Sequence, residues 1–210
     1  MRYLPALVLL LAVPLCAAPK AAPPTVTAFR VQAGAMVDSL IDLNMAAGDM
    51  EYHDGAWDKS IASWQRVTVL DSKSLEGYLN AALLQWSSGH PDAAADTRTR
   101  MIAENPKNPE AYFEVGLYYF NTRNDAEAVT WLAQAVQLGL PSPKRHLYGH
   151  ALVHLGRKDD ALTFWRHVAQ EDPADEVAKR ERDKLMGITP TPPPPTPQPE
   201  TAPAGTDVKK

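Results

Sequence analysis

Cysteine is almost missing from this sequence: Cys16 is the only one in 210 residues. It ends an apolar run near the N-terminus, so the body of the chain has no thiol for a disulfide framework or a thiolate nucleophile. Strong charge of one sign is missing too. The 21 basic and 25 acidic residues are interspersed and leave a formal net charge of −4, with no basic face of the kind a phosphate backbone requires. Nucleic acid is therefore not an expected partner. The sequence also has no G-x-S-x-G, no P-loop, no G-x-G-x-x-G and no Asn-x-Ser/Thr sequon. Paired carboxylates do occur at Asp159-Asp160, but they fall at a helix start, where acidic side chains favourably oppose the dipole. The chain is expected to be a binding protein and not an enzyme, with no cofactor.

The two ends differ from the middle. MRYLPALVLLLAVPLCAAPKAA joins Arg2 to an apolar run from Leu7 to Val13 and then to small residues at Ala17 and Ala18. That is the layout of a secretory signal peptide, too short to cross a bilayer as a stable helix. Residues 1–18 are expected to be removed, 19–25 (PKAAPPT) to act as a linker, and the mature chain to have no membrane span. The expected location is exported, the bacterial periplasm or outside the cell. Lipid anchoring at Cys16 is disfavoured because Leu15, not a small residue, precedes it. At the far end, ITPTPPPPTPQPETAPAGTDVKK (188–210) has no apolar periodicity and is expected to be a disordered or extended Pro-rich tail.

Between these ends, residues 26–187 have few β-branched alternations and many Ala, Leu and charged positions at helical spacing. They also repeat. Gly48, Ala82, Gly116 and Gly149 are separated by 34, 34 and 33 residues, and so are Trp64, Arg98, Leu132 and Trp165; Ser60, Ala94, Ala128 and Ala161; and Val67, Met101, Ala135 and Val168. A glycine inside a helix costs about 1 kcal/mol against alanine, so its recurrence calls for a close helix contact in return. Turns are expected at Asp54-Gly55, Gly89-His90-Pro91, Arg123-Asn124-Asp125 and Gly156-Arg157-Lys158, and Asn105-Pro106 and Asp172-Pro173 close units.

A helix-turn-helix of this length, with a small residue in the first helix and a small then a large residue in the second, resembles the tetratricopeptide repeat (TPR) family. The implied fold is all-α: a right-handed helix-turn-helix solenoid of about four TPR-like repeats at 41–72, 75–106, 109–140 and 142–173. Residues 174–187 would form a C-terminal capping helix, and Phe29, Val31, Met36, Val37 and Leu40 fall in a stretch expected to be helical and to lead into the first repeat. The second repeat departs from the pattern at Arg98, where a bulky apolar residue is expected, and the first departs at Ser60, where alanine is usual.

The resemblance implies that first helices line a concave groove that takes a protein or peptide partner, here an envelope or secreted protein. The groove residues it selects are Tyr52, Leu79, Leu83, Trp86, Phe113, Leu117, Phe120, Asn121, His146, His150 and His154, with Trp86, Phe113 and Phe120 as aromatic anchors. Burial of these residues under the protein's own N-terminal or capping helix is the competing reading. The repeats that grip a C-terminal carboxylate present basic residues where Met45, Leu79 and Phe113 stand here, which argues against that activity.

The histidines pose a separate question. His146, His150 and His154 follow at i, i+4 and i+8 and share one helix face. They raise an alternative function, a metal-binding or pH-responsive surface. About 12 Å of helix axis separates His146 from His154, too far for both to reach one zinc. HALVH at 150–154 has the spacing of a zinc-protease helix, but Ala151 stands where the general base would be.

Overall fold

The computed structural model of the protein describes residues 26–188. The expected signal peptide (1–18), the linker (19–25) and the Pro-rich tail beyond Ile188 lie outside the described residues. Nine helices and no strand occupy the described residues: α1 (Val26–His53), α2 (Trp57–Leu70), α3 (Leu75–Ser87), α4 (Pro91–Glu104), α5 (Pro109–Asn121), α6 (Asp125–Gln137), α7 (His146–His154), α8 (Lys158–Glu171) and α9 (Glu176–Leu185). They pack as successive antiparallel pairs, α1 with α2 through α7 with α8, and α9 lies against α8.

Local chemistry sets the boundaries. Ser74, Asn108, Asn124 and Asp175 are N-caps whose side chains accept from Gly77, Glu110, Glu127 and Ala178 backbone N–H groups. Pro91 and Pro109 open helices, where a missing N–H is no loss. Inside each pair the chain reverses through one residue at positive φ: Gly55, Gly89, Arg123 and Gly156. Arg123, at φ 62°, takes a conformation that three of the four turns give to glycine.

The repeat columns are explained by contact. A Cβ on Gly48 would come within 2.6 Å of the Trp64 indole, on Gly116 within 2.6 Å of Leu132, and on Gly149 within 2.4 Å of Trp165. In these three units the small residue of the first helix is therefore the seat for the large residue 16 positions later. Ser60, the departure in the first unit, is fully buried and its hydroxyl donates to the Gly48 carbonyl at 2.7 Å. It makes the same close approach as alanine and adds a bond. Arg98, the departure in the second unit, reaches towards the next unit. Its guanidinium lies 3.6 Å from the centre of the Tyr118 ring on α5, and a cavity of about 60 Å³ remains between α4, α5 and α6, walled by Ala95, Ile102, Val115 and Trp131 among others.

Two elements depart from a uniform repeat. α7 has only nine residues, because Pro141 and Pro143 interrupt the stretch ahead of it. α1 has 28 residues, twice the length of its partner α2, and all of residues 30–40 except Ala33 are exposed.

These contacts predict opposite effects for two Gly→Ala changes. Gly149→Ala should lower unfolding free energy by about 1–3 kcal/mol through overpacking against Trp165. Gly34→Ala on α1, where nothing lies within 4 Å, should raise it by up to about 1 kcal/mol. Urea titration followed by circular dichroism measures both.

Candidate functional site

Two cavities in series lie along the first helices. One, of about 240 Å³ between α1 and α3, is lined by Asp49, Tyr52, His53, Trp64, Asn80, Leu83 and Leu84. The other, of about 220 Å³ between α3 and α5, is lined by Leu79, Leu83, Arg98, Glu114, Leu117, Tyr118 and Asn121. Leu83 belongs to both and is the ridge between them, with 55% of its surface exposed. Trp86, one turn further along α3, is also exposed and meets the edge of Tyr118 at 6.4 Å between ring centres.

The structure thus brings together Tyr52, Leu79, Leu83, Leu117 and Asn121 as the sequence pattern suggested, with Trp86 beside them. Phe113 does not join them. It is 8% exposed, sits in the core with Leu132, Leu140 and Leu152, and has the Lys144 ammonium 5.2 Å from its ring centre. Its column in the repeat faces the groove only while the following first helix stands clear. The approach of α7 and the Pro141-Ser142-Pro143 stretch closes that position. Phe113 therefore belongs to the core and not to the open surface. Phe120 is half-buried and stacked on His154 at 4.8 Å, so its flat face is already taken.

The sequence pattern missed Asn80, Glu114 and Tyr118, which occupy adjacent columns, and gave no role to Arg98. Arg98 was visible as a break in an apolar column, and that break is what places a cation in the second cavity. Burial lowers the Arg98 pKa from its ordinary value, with the Tyr118 and Tyr119 hydroxyls opposing. Burial likewise raises Glu114, with Lys144 opposing. The second cavity thus carries one half-buried cation and one half-buried carboxyl beside Leu79, Leu83 and Leu117.

The three histidines do not act together. His146 is buried: its Nε2 lies 2.6 Å from Asp175 Oδ2 and 3.1 Å from Ser142 Oγ, and its ring packs on Trp165. It fastens the start of α7 to the N-cap of α9, so this end of the row is covered by the protein's own capping helix. His150 packs edge-on against Trp165 at 5.2 Å. His154 is exposed, stacked on Phe120, with Nδ1 3.7 Å from Asp125 Oδ1. Among the described residues no three His, Cys, Asp or Glu side chains are grouped to hold a metal ion. His146, with Nε2 held by a carboxylate and a hydroxyl, is not an open groove residue, contrary to the expectation from spacing alone.

Residues 79–143 match the family model described as tetratricopeptide repeat. No curated protein matches this sequence. Among solved structures the chain is similar to a MamA protein, with a TM-score of 0.52 at 19% identity over 72% of this chain and 85% of that one. It is similar as well to Pseudomonas aeruginosa PilF, with a TM-score of 0.52 at 15% identity over 72% and 69%. At these identities the likeness establishes the fold. The class is a solenoid of two-helix repeats, and the tetratricopeptide-repeat match lies within it, over residues 79–143.

Acid should loosen the C-terminal end. Burial holds the His150 pKa below its ordinary value, with Glu181 opposing and His146, His154 and Lys184 assisting. The unfolded chain then binds a proton that the folded chain resists, so stability falls as pH drops below about 6.5. Burial acts to raise Asp175, but the Ala178 N–H, His146 and Ser142 outweigh it and hold it below its ordinary value. Stability is therefore lost again as pH falls below about 4. The melting temperature of His150→Asn should lose the upper of these two declines and keep the lower.

Proposed function

We propose that the chain is an exported interaction scaffold that docks an extended segment of another protein across α1, α3 and α5. The observation that carries this reading is the pair of cavities that share Leu83 as an apolar ridge. An extended segment can place one apolar side chain on each side of it. Tyr52 and Trp86, both exposed, provide large rigid contact area at the margins at little entropic cost. Arg98 and Glu114 in the second cavity add selectivity, because a side chain that buries either without a partner charge loses affinity.

Several features support this role. Repeat solenoids of this family take protein or peptide partners, and their rigidity removes much of the ordering cost of binding. The apolar run and small residues of 1–18 support export, which makes an envelope or secreted protein the natural partner, and the Pro-rich 188–210 supports a spacer role. No helix among the described residues is long and apolar enough to cross a membrane.

Selection from a random peptide display library lets the groove choose its own probe. Enriched peptides should carry two apolar residues separated by one or two positions. Leu83→Asp should weaken an enriched peptide at least about tenfold, or about 1.4 kcal/mol, with helical circular dichroism unchanged. Equal binding to Leu83→Asp and to the unaltered protein would rule out the two-cavity groove. Leu83 suits this test better than Phe113, whose truncation would open a cavity in the core.

A further inference from the structure

α1 exposes an apolar stripe that neither its partner helix nor its own repeat uses. Ala33, Met36, Leu40, Leu43, Ala47 and Met50 follow at spacings of 3, 4, 3, 4 and 3, the seam spacing of a helix that pairs lengthwise with another. Met36, Leu40, Leu43 and Met50 are 44–68% exposed. The repeat explains why this face is apolar. Leu43, Ala47 and Met50 stand in the columns of Gly77, Ala81 and Leu84 in the second unit. There, Ala81 and Leu84 pack with Trp64 and Val67 of α2, and Gly77 lies against Val67 and Thr68. The face is the one each later unit buries against the second helix of the unit before it. Among the described residues no helix precedes the first unit, so there its seat for a preceding helix stands open.

The first half of α1 has the complementary defect. Ile41 and Met45 are the α1 residues that join the α2 core cluster, so the helix runs on past its partner for more than three turns. A helix of that length is marginal in water without packing. With the apolar run of 1–18 removed, as the proposed export implies, the rest of the chain outside 26–188 has little to offer either surface. Beyond Ile188 it carries no Leu, Ile, Phe, Trp, Tyr or Met, and residues 19–25 are PKAAPPT. One molecule thus has an unoccupied seat for an antiparallel helix and an unpartnered apolar helix ready to fill one.

We propose that two copies of this chain pair through α1 in antiparallel orientation, each lending its 26–40 arm as the helix that precedes the other's first repeat. The contact is self-complementary about a two-fold axis. The seam then sets Leu40 against Leu43 of the second copy and Met36 against Ala47 of the second copy. Charge selects the direction. α1 carries Asp38, Asp42, Asp49 and Glu51 against Arg30 and, at its last position, His53. A parallel pair sets all four acids level with their own duplicates, whereas the antiparallel pair does so only for Asp42, near the two-fold axis, and brings Arg30 near Glu51 of the second copy at both ends. The pairing is independent of the α1–α3–α5 groove and stands or falls without it.

Sedimentation equilibrium on the protein in the form the cell produces, with cysteine cross-linking, tests the pairing. The unaltered protein should be a dimer, and Leu43→Glu should raise its dissociation constant at least about tenfold while α2–α9 keep their helicity. If Leu43→Glu fails to fold, Met36→Glu on the free arm serves in its place. A mixture of Met36→Cys and Ala47→Cys chains should form an intermolecular disulfide. Met36→Cys alone should not, because in the antiparallel pair its two copies are about 16 Å apart along the axis; the unaltered chain controls for Cys16. A monomer at about 100 μM, a dimer unaffected by either glutamate, or cross-linking of Met36→Cys only to itself would each overturn the proposal. A monomer would leave the peptide result untouched, so the two readings fail separately.

Discussion

A residue without a side chain facing one with a large side chain is the contact on which this solenoid rests. Gly48 under Trp64, Gly116 under Leu132 and Gly149 under Trp165 set how near the two helices of a unit can come. That distance decides whether the apolar faces beyond it interlock. Because the interior is close-packed, there is no slack to absorb a methyl group at these seats. The conformational cost of glycine in a helix is offset by the burial of an indole or an isobutyl group over it.

Where that contact is altered, the protein acquires its individual features. In the first unit Ser60 keeps the close approach and adds a hydrogen bond to Gly48. In the second, Arg98 stacks on Tyr118 of the next unit and puts a cation into the second groove cavity. The polar pairs that tie the early units, Ser63 to Glu51 and Thr97 to Gln85, fall in columns that in the third unit hold Trp131 and Tyr119 and in the fourth Phe164 and Leu152. In these two columns the early units are tied by hydrogen bonds between helices and the later ones by aromatic and apolar packing. Its surfaces follow the same gradient, with open cavities at α1–α3–α5 and a covered face at α7–α9.

Much of this was legible in the sequence, since the period of 34 residues is a linear property. The small and large columns, the turns and the helical character of 26–187 all follow from residue types at fixed spacing. Membership of a surface was partly legible: Tyr52, Leu79, Leu83, Leu117 and Asn121 are where their columns put them. Phe113 and His146 are not, for a common reason. Both lie next to elements that break the repeat, the short proline-preceded α7 and the cap α9, and these close over positions that a perfect repeat leaves open. Arg98 was legible only as an anomaly, because a break in a pattern says that something differs and not where a long side chain goes.

The sequence by itself determined the architecture. Helical spacing, turn residues and four columns in register point to one way of stacking, which places Gly48, Gly116 and Gly149 under large side chains. Tertiary structure decided which copies of a column are accessible. It divided the histidine row, giving His146 to Asp175 and leaving His154 to stack on Phe120. It also revealed that α1 outruns α2 and shows an unpaired stripe. Exposure depends on what lies across the gap, and the residue across the gap is 16 to 34 positions away or on another chain, beyond the reach of local spacing.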